Sequence, residues 1–316
     1  MREFPEPTDI LLSNKAVCRD SSLILSKFSM ISLVTDSLLY IYDPWNNYCF
    51  TIYNLTNAHY ARLGTIGQGP REIYNPGSKV SLINIDGTTY VSIFDNSTNR
   101  FQLYDVSDFS PYTTDRSLDI LPNITVSEAF LVSDSIAVAE GDFEDNVFAI
   151  VRNGRLSTPF WSSLSNKGEK SIYRLINDAN IFALSPGHDK IVRATQFGGL
   201  IEACSIKDSS VSPLFRHEYF PNDYDSQVGE TGKTRYGYLS VTCNDEKIYG
   251  LYDGELAKRD KPFGSNLIHV YDWEGRLLEV LFTDTRISSI GITPNGKQLY
   301  AIEADTNDLI YFNHGN

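Results

Sequence analysis

The sequence lacks the features that identify most membrane-spanning, disulfide-rich and zinc-binding proteins. No apolar run approaches the ~20 residues that cross a bilayer, and Met1–Pro5 carries charges and a proline where a signal peptide has an apolar segment. The four cysteines, Cys18, Cys49, Cys204 and Cys243, form no CxxC pair. We therefore expect no transmembrane segment, and we expect buried thiols that act as small apolar side chains, with one long-range disulfide as the alternative.

Catalytic motifs are also missing. The sequence contains no HExxH and no G-x-S-x-G motif, and its 5 histidines are dispersed along the chain. The segment Gly229–Thr234 has two residues between its glycines, where a phosphate-binding loop needs four, and a strand-like sequence follows it instead of a helix. These absences favour a protein that is not an enzyme and that carries no cofactor.

Basic charge is scarce as well. The chain has 27 Lys and Arg against 40 Asp and Glu, a net charge of −13. The longest basic stretch, residues 258–261, is interrupted by an aspartate. Because such an acidic surface repels the phosphates of nucleic acids and anionic lipids, we expect no nucleic-acid partner.

What the chain has in abundance is a recurring strand hairpin. Thr89–Asp95 and Arg100–Asp105 are strand-like runs joined by a short polar turn, and Gln298–Asp305 with Leu309–Phe312 repeats the pattern. The hairpins begin near residues 37, 89, 135, 190, 247 and 298, a spacing of about 45 to 57 residues. Repetition at this period, with four strands in each unit, is the signature of a β-propeller. We predict an all-β fold, a six-bladed propeller built from four-stranded antiparallel blades.

The two ends of the chain predict how this propeller closes. The last repeat stops at Phe312, two strands into its blade, while Asp9–Leu12 and Ala16–Arg19 precede the first complete repeat. We expect the N-terminal strand to pair with the C-terminal blade, which removes an exposed sheet edge. No linker rich in Pro, Gly or Ser divides the chain, so residues 1–316 are predicted to form one domain.

Three segments resemble known propeller families. Gly64–Glu72 resembles the G-x-G-P-x-E segment of bacterial TolB-like six-bladed propellers, and Phe94–Gln102 is similar to the turn of NHL-type repeats. Ile268–Gly275 followed by Pro294–Tyr300 is also typical of the group. The resemblance covers nearly the whole chain and implies an exported or lipid-anchored envelope protein, periplasmic or surface-attached. Arg71 stands where relatives often have glycine, so a less tight loop is expected there.

The loop that carries this resemblance has two interpretations. In the structural one, Gly67 and Gly69 permit a positive φ, Pro70 fixes one corner, and Glu72 accepts backbone N–H bonds. In the functional one, the loop contacts a ligand between blades, which makes Arg71 and Glu72 candidate binding residues. Because Gly and Pro require only backbone geometry, the structural interpretation is favoured.

Acidic residues recur at the ends of the second strands. Five of the six predicted second strands end in a carboxylate: Asp43, Asp95, Glu140, Asp253 and Asp305. Each carboxylate either caps its own turn or belongs to an acidic rim on one face that attracts a cation or a basic ligand. A calcium site would need six to eight converging oxygens, and the sequence does not identify such a set.

Two long insertions give the most specific candidate site. The turn insertion (residues 253–266) lengthens the fifth hairpin, and the crossing insertion (residues 217–235) leads from the fourth blade to the fifth. Loops of this length are usually functional or disordered. We expect the two insertions to touch and to form a mixed apolar and basic pocket. The candidate residues are Tyr219, Phe220, Tyr224, Arg235, Lys258, Arg259, Lys261 and Phe263.

These observations favour a non-catalytic binding or scaffold protein. Its partner would be a small polar ligand such as an anionic sugar or a peptide carboxylate, a glycan, or a peptide or protein. The alternative is a metal-dependent hydrolase or lyase that holds calcium in the central channel, an analogy drawn from fold alone. Metal content would distinguish the two.

Overall fold

The computed structural model describes ten stretches of the chain: residues 8–12, 15–17, 23–44, 47–106, 112–119, 125–164, 176, 178–224, 229–258 and 262–314. The chain forms two compact units. We call residues 20–163 with 208–210 the amino-terminal unit, and residues 1–19 with 164–207 and 211–316 the carboxy-terminal unit. The single domain expected from the sequence stays a prediction.

The amino-terminal unit contains three four-stranded antiparallel sheets. The first is formed by β3 (Met30–Val34), β4 (Leu38–Tyr42), β5 (Tyr48–Asn54) and β6 (Tyr60–Thr65). The second is formed by β7 (Pro76–Ile85), β8 (Thr88–Asp95), β9 (Arg100–Asp105) and β10 (Tyr112–Asp119). The third is formed by β11 (Val126–Leu131), β12 (Ile136–Phe143), β13 (Asn146–Arg152) and β14 (Arg155–Ser162). Each sheet is a meander, as expected for the blades of a propeller.

The carboxy-terminal unit contains one more four-stranded sheet and a larger one. The smaller sheet is formed by β15 (Asn180–Leu184), β16 (Lys190–Thr195), β17 (Leu200–Lys207) and β18 (Ser210–Glu218). The eight-stranded sheet is formed by β19 (Tyr238–Cys243), β20 (Lys247–Tyr252), β21 (Ser265–Asp272), β22 (Leu277–Ile292), β23 (Gln298–Glu303), β24 (Leu309–Asn313), β1 (Thr8–Leu12) and β2 (Lys15–Val17).

The long strand β22 joins two halves of the eight-stranded sheet. Its first part, Leu277–Phe282, pairs with β21, and its last part, Ile287–Ile292, pairs with β23. The N-terminal segment joins this sheet twice: β2 pairs antiparallel with β24, and β1 runs parallel to β22. The N-terminal residues therefore lie beside the C-terminal strands of this sheet, and the closure of a ring stays a prediction.

The apolar core lies between successive sheets of each unit. In the amino-terminal unit, one cluster combines Phe94 and Phe101 of the second sheet with Ala137 and Ala149 of the third. Residues 147–151 of β13 are all buried, and the third sheet packs against the second through the cluster just described. This packing explains why the middle strands are apolar at consecutive positions and do not alternate.

Two of the predicted strand ends are wrong. The second strand of the third sheet continues past Glu140 to Phe143, because Phe143 pairs with Asn146 beyond a register shift. In the last hairpin β23 ends at Glu303, since the Glu303 N–H donates to the carbonyl oxygen of Asp308 and closes the turn there. Glu140 therefore lies inside a strand, and Asp305 lies inside a turn.

The cysteines behave as the main interpretation predicts. Cys49, Cys204 and Cys243 are buried free thiols, and burial raises the pKa of Cys49 to about 12, which keeps the thiol protonated and unreactive. Cys18 lies outside the described residues. In the ten stretches given above, no helix is both long enough and apolar enough to cross a bilayer.

Candidate ligand-binding site

The two insertions of the carboxy-terminal unit are joined by backbone hydrogen bonds. The N–H of Ala257 donates to the carbonyl oxygen of Thr234 at 2.8 Å, and Arg235 forms an antiparallel bridge with Leu256. The Arg235 guanidinium also donates to the carbonyl oxygen of Gly254 at 3.0 Å. The prediction that the crossing and turn insertions touch is confirmed, and their contact is a short β-ladder.

A cavity of about 310 Å³ opens where the insertions meet. Phe263 is 47% exposed at its edge, so an apolar ring faces solvent there. Arg259 and Lys261 of the turn insertion lie outside the described residues. The lining residues are Glu230, Tyr236, Leu239, Asp253, Lys258, Pro262, Phe263 and Gly264.

Gly264 fixes the backbone beside the exposed Phe263. Its φ is +109°, a conformation that L side chains rarely adopt. A Cβ at this position would also lie 2.7 Å from the Cβ of Ala304. The close approach requires glycine and sets the path of the turn insertion along the cavity.

The polar side of the cavity is mainly acidic. The Tyr236 hydroxyl donates to Glu230 Oε1 at 2.7 Å. Burial, reinforced by the carboxylates of Glu230 and Asp253, raises the pKa of Tyr236 to about 12, so the phenol stays protonated and keeps its hydrogen bond to Glu230. Among the described lining residues Lys258 is the only cation. The described lining therefore combines apolar residues with two carboxylates and one ammonium, and the basic character expected from Arg259 and Lys261 stays a prediction.

Two of the predicted aromatic residues lie behind the cavity wall. Tyr224 stacks on Phe197, with ring centroids 4.1 Å apart and an interplanar angle of 3°. Phe197 in turn stacks on Tyr236 at 5.8 Å. Arg235 lies over the ring of Phe220, 5.7 Å from its centroid. These contacts hold the crossing insertion in place, and neither Tyr224 nor Phe220 lines the cavity.

Tyr219 belongs to a separate network of phenols and an imidazole. Its hydroxyl is 2.7 Å from that of Tyr271, which is 3.0 Å from the hydroxyl of Tyr238. His269 Nδ1 lies 3.3 Å from the Tyr271 hydroxyl. Burial lowers the pKa of His269 to about 4, so the imidazole is neutral near pH 7. Tyr219 therefore anchors the crossing insertion to β21, although its ring is 48% exposed.

The Gly67–Glu72 loop of the amino-terminal unit follows its structural interpretation with one correction. Glu72 Oε2 accepts the N–H of Gly69 at 2.8 Å. Neither Gly67 nor Gly69 has a positive φ, so the predicted reason for these glycines is wrong. A Cβ on Gly67 would overlap the Glu72 carboxylate, and glycine is needed to leave room for it. Arg71 is exposed, and its binding role stays a prediction.

Two rim acids in the amino-terminal unit, Asp43 and Asp95, are buried and lie beside polar groups. Asp95 Oδ1 accepts the N–H of Ser97 in its own turn at 3.0 Å and the N–H of Asn75 at 3.2 Å. Asp43 lies 3.8 Å from the guanidinium of Arg62 and is 1% exposed. Asp95 therefore caps its own turn, and it also ties the preceding connection to that turn.

The other three acids have different environments. Glu140 is buried, and its Oε2 accepts the hydroxyl of Ser127 at 2.9 Å. Asp253 accepts an N–H of its own turn and lines the cavity. Asp305 is exposed and pairs with Arg286 at 2.5 Å. The common acidic rim stays a prediction.

Glu128 is a buried acid that sequence reasoning missed. It lies on β11 directly opposite Glu140 of β12, and its carboxylate accepts the Ser78 hydroxyl of β7 at 3.0 Å. Burial is the main cause that raises its pKa to about 7; the charge of Glu140 adds to it, while the Ser78 bonds and Lys79 oppose it. The pairing of Glu128 with Glu140 could not be predicted from the sequence, because it depends on a register shift between Val126 and Glu128.

No metal centre emerges from the parts of the chain that the structure describes. There, no group of three or more His, Cys, Asp or Glu side chains is arranged to hold a metal ion. The calcium-dependent alternative stays a prediction.

A family model described as TolB-like 6-blade propeller-like matches residues 4–295. The chain belongs to this family. The match spans all of the sheets except the last hairpin, and it confirms the resemblance found in the sequence. No curated protein sequence matches this TolB-like chain.

Solved structures share the fold of this TolB-like chain at low sequence identity. The β-propeller domain of Cps50 (Swd1) from Myceliophteria thermophila is 11% identical, with a TM-score of 0.50 over 93% of this chain and 98% of that one. U3-55K is 11% identical, with a TM-score of 0.51 over 95% and 98%. At this identity the similarity establishes an all-β propeller fold and carries no functional information.

Several residues that line the cavity were not predicted from the sequence. Tyr236 precedes a strand and Leu239 lies at its start, and Glu230 lies in the crossing insertion but was not among the residues expected to line the pocket. The long insertions were visible, but the residues that face inward depend on the ladder between Thr234 and Ala257, which has no sequence motif.

Proposed function

We propose that this TolB-like chain is a non-catalytic binding protein that holds a small polar ligand with an apolar face in the cavity between its two insertions. The observation that supports this most directly is that one cavity is lined by both insertions while backbone hydrogen bonds join them. Binding sites are often carried on loops held by a rigid scaffold, and preformed walls reduce the entropy lost on binding.

We further propose that the chain forms six blades closed by its N-terminal strand. The family description and the two-part pairing of β22 support this. The eight-stranded sheet then contains the fifth blade (β19 to the first part of β22) and the sixth (the last part of β22, β23, β24 and β2). The pairing of β2 with β24 supplies the last strand of the sixth blade.

Export to the periplasm or the cell surface is part of the same proposal. It rests on membership of the TolB-like family. Fractionation of cells that produce the protein from its native gene tests it, and recovery only from the cytosol would contradict it.

The binding function can be tested with a defined panel of compounds. Saturation-transfer NMR with glucose, glucuronate, L-phenylalanine, L-leucine and Gly-Gly would be recorded on the wild-type protein, on Phe263→Ser and on Leu214→Ser. Leu214 is also an exposed apolar residue, 39% exposed, and does not line the cavity. We expect at least one compound to give a signal that is lost in Phe263→Ser and kept in Leu214→Ser. Signals that are absent, or equal in all three proteins, would contradict the proposal.

A further inference from the structure

The charges around the cavity indicate the class of ligand more specifically than the volume of the cavity does. We propose that the cavity binds an amino-acid-like zwitterion, with its ammonium group at Glu230 and Asp253, its anionic group at Lys258 and its apolar side chain on Phe263. This inference rests on the proposed binding function and adds the class of ligand to it.

Glu230 and Asp253 are the acidic residues that would bind the ammonium group of the ligand. Glu230 accepts the hydroxyl of Tyr236 at 2.7 Å, and Asp253 is close enough to the same phenol to contribute to its raised pKa. Both carboxylates belong to the lining of the same cavity. An ionised carboxylate accepts several hydrogen bonds and an ammonium group donates three, so bonds already made within the protein leave capacity for an amine.

The charges of the described lining residues favour a zwitterion over a purely anionic ligand. The described lining carries two negative charges, from Glu230 and Asp253, and one positive charge, from Lys258. An anionic sugar would pair with Lys258 but would bring its charge close to two carboxylates, and like charges in a partly desolvated site repel. A ligand with both charges pairs with all three side chains.

The apolar wall accounts for the rest of the ligand. Phe263, Pro262 and Leu239 form it, and an exposed phenyl ring recovers free energy when an apolar group covers it. The volume of about 310 Å³ lies at the lower end of the usual range for ligand pockets, about 300–1,000 Å³. This size suits one amino acid or a dipeptide and not an extended glycan.

Isothermal titration at pH 7 with four probes tests the proposal. L-phenylalanine and L-leucine carry both charges, phenethylamine carries only the amine, and 3-phenylpropionate carries only the carboxylate. We expect both amino acids to bind, phenethylamine to bind about tenfold more weakly than L-phenylalanine, and 3-phenylpropionate not to bind. Binding of 3-phenylpropionate alone would contradict a zwitterionic ligand but would still support the proposed binding function. Failure of both amino acids would overturn this inference, and the binding function would fail only if the remaining panel compounds also gave no signal.

Substitutions test which residues of the cavity bind each charged group of the ligand. The double variant Glu230→Gln/Asp253→Asn should weaken phenethylamine and L-phenylalanine binding at least about tenfold. Lys258→Met should weaken the binding of L-phenylalanine until its affinity equals that of phenethylamine. The affinity of phenethylamine itself should not change.

The matched control for the double variant is Glu246→Gln/Asp284→Asn. It makes the same change in net charge at two exposed residues of the same unit that do not line the cavity, and it should bind all four probes as the wild type does. Equal losses in both double variants would show a general charge effect and overturn the assignment.

Discussion

Replacing Glu128 with glutamine should remove a large part of the pH dependence of stability. The carboxyl lies on β11 opposite Glu140 and is 7% exposed. Its pKa is raised from 4.5 to about 7, mainly by burial. The folded state therefore holds a proton that the unfolded chain releases between about pH 4.5 and 7. Across this window the contribution of Glu128 to the free energy of unfolding falls as the pH rises. Below and above the window that contribution is constant.

The magnitude follows from the pKa change. Each pH unit between the two pKa values is about 1.4 kcal/mol, so ionisation of Glu128 costs the folded state ~3 kcal/mol at pH 8 relative to pH 4.5. Glutamine keeps the shape of the side chain and an oxygen for the Ser78 hydroxyl but does not ionise. We expect Glu128→Gln to be ~3 kcal/mol more stable than the wild type at pH 8, with little difference at pH 4.5.

Urea unfolding at pH 4.5, 6, 7 and 8, followed by tryptophan fluorescence, measures this difference. Asp134→Asn is the matched control, because Asp134 is an exposed carboxylate in the turn that joins β11 and β12 and its charge stays in water. Glu140→Gln should lower the pKa of Glu128, since the charge of Glu140 is one of the causes that raise it. If wild type and Glu128→Gln lose stability in parallel from pH 4.5 to 8, the buried carboxyl does not titrate in this window and the reasoning is wrong.

Three further predictions concern the ends, the turns and the insertions. Deleting residues 1–20 removes the strands that pair with β24 and β22 and should lower the melting temperature by several degrees; unchanged melting in calorimetry would contradict the closure. Asp95→Asn and Asp253→Asn should each cost about 1 kcal/mol in urea unfolding and add in the double variant, whereas a loss that exceeds the sum would indicate coupled acids. Gly264→Ala places a Cβ 2.7 Å from that of Ala304 and should cost about 1–3 kcal/mol, and a variant as stable as the wild type would show that the close approach is not required.

The sheets could be predicted from the sequence because their causes are local. The hairpin of Thr89–Asp95 and Arg100–Asp105 appears within one residue of the predicted strand limits, since apolar strand runs and a polar turn determine it within a few positions. Strand limits that depend on irregular pairing were missed, as at Glu140, where a register shift extends β12 beyond the acid.

The site was predictable only in outline. Insertion length and aromatic content located the two segments, and their contact was expected. Of the lining residues, Lys258 and Phe263 were expected, whereas Glu230, Tyr236 and Leu239 were not, because the antiparallel bridge between Arg235 and Leu256 decides which side chains turn toward the cavity. Tyr224 and Phe220 stack behind the wall, while Glu230 and Tyr236 face the cavity. Long-range backbone pairing of this kind leaves no local pattern in the sequence.

The central claim is that the cavity between the two insertions is the binding site, and hydrogen–deuterium exchange tests it most directly. Exchange would be followed by mass spectrometry with and without each panel compound at saturating concentration. We predict slower exchange in peptides that cover residues 229–240 and 253–264 with at least one compound, and unchanged exchange in residues 125–163 of the amino-terminal unit. Protection confined to residues 125–163, or no protection with any compound, would contradict the account.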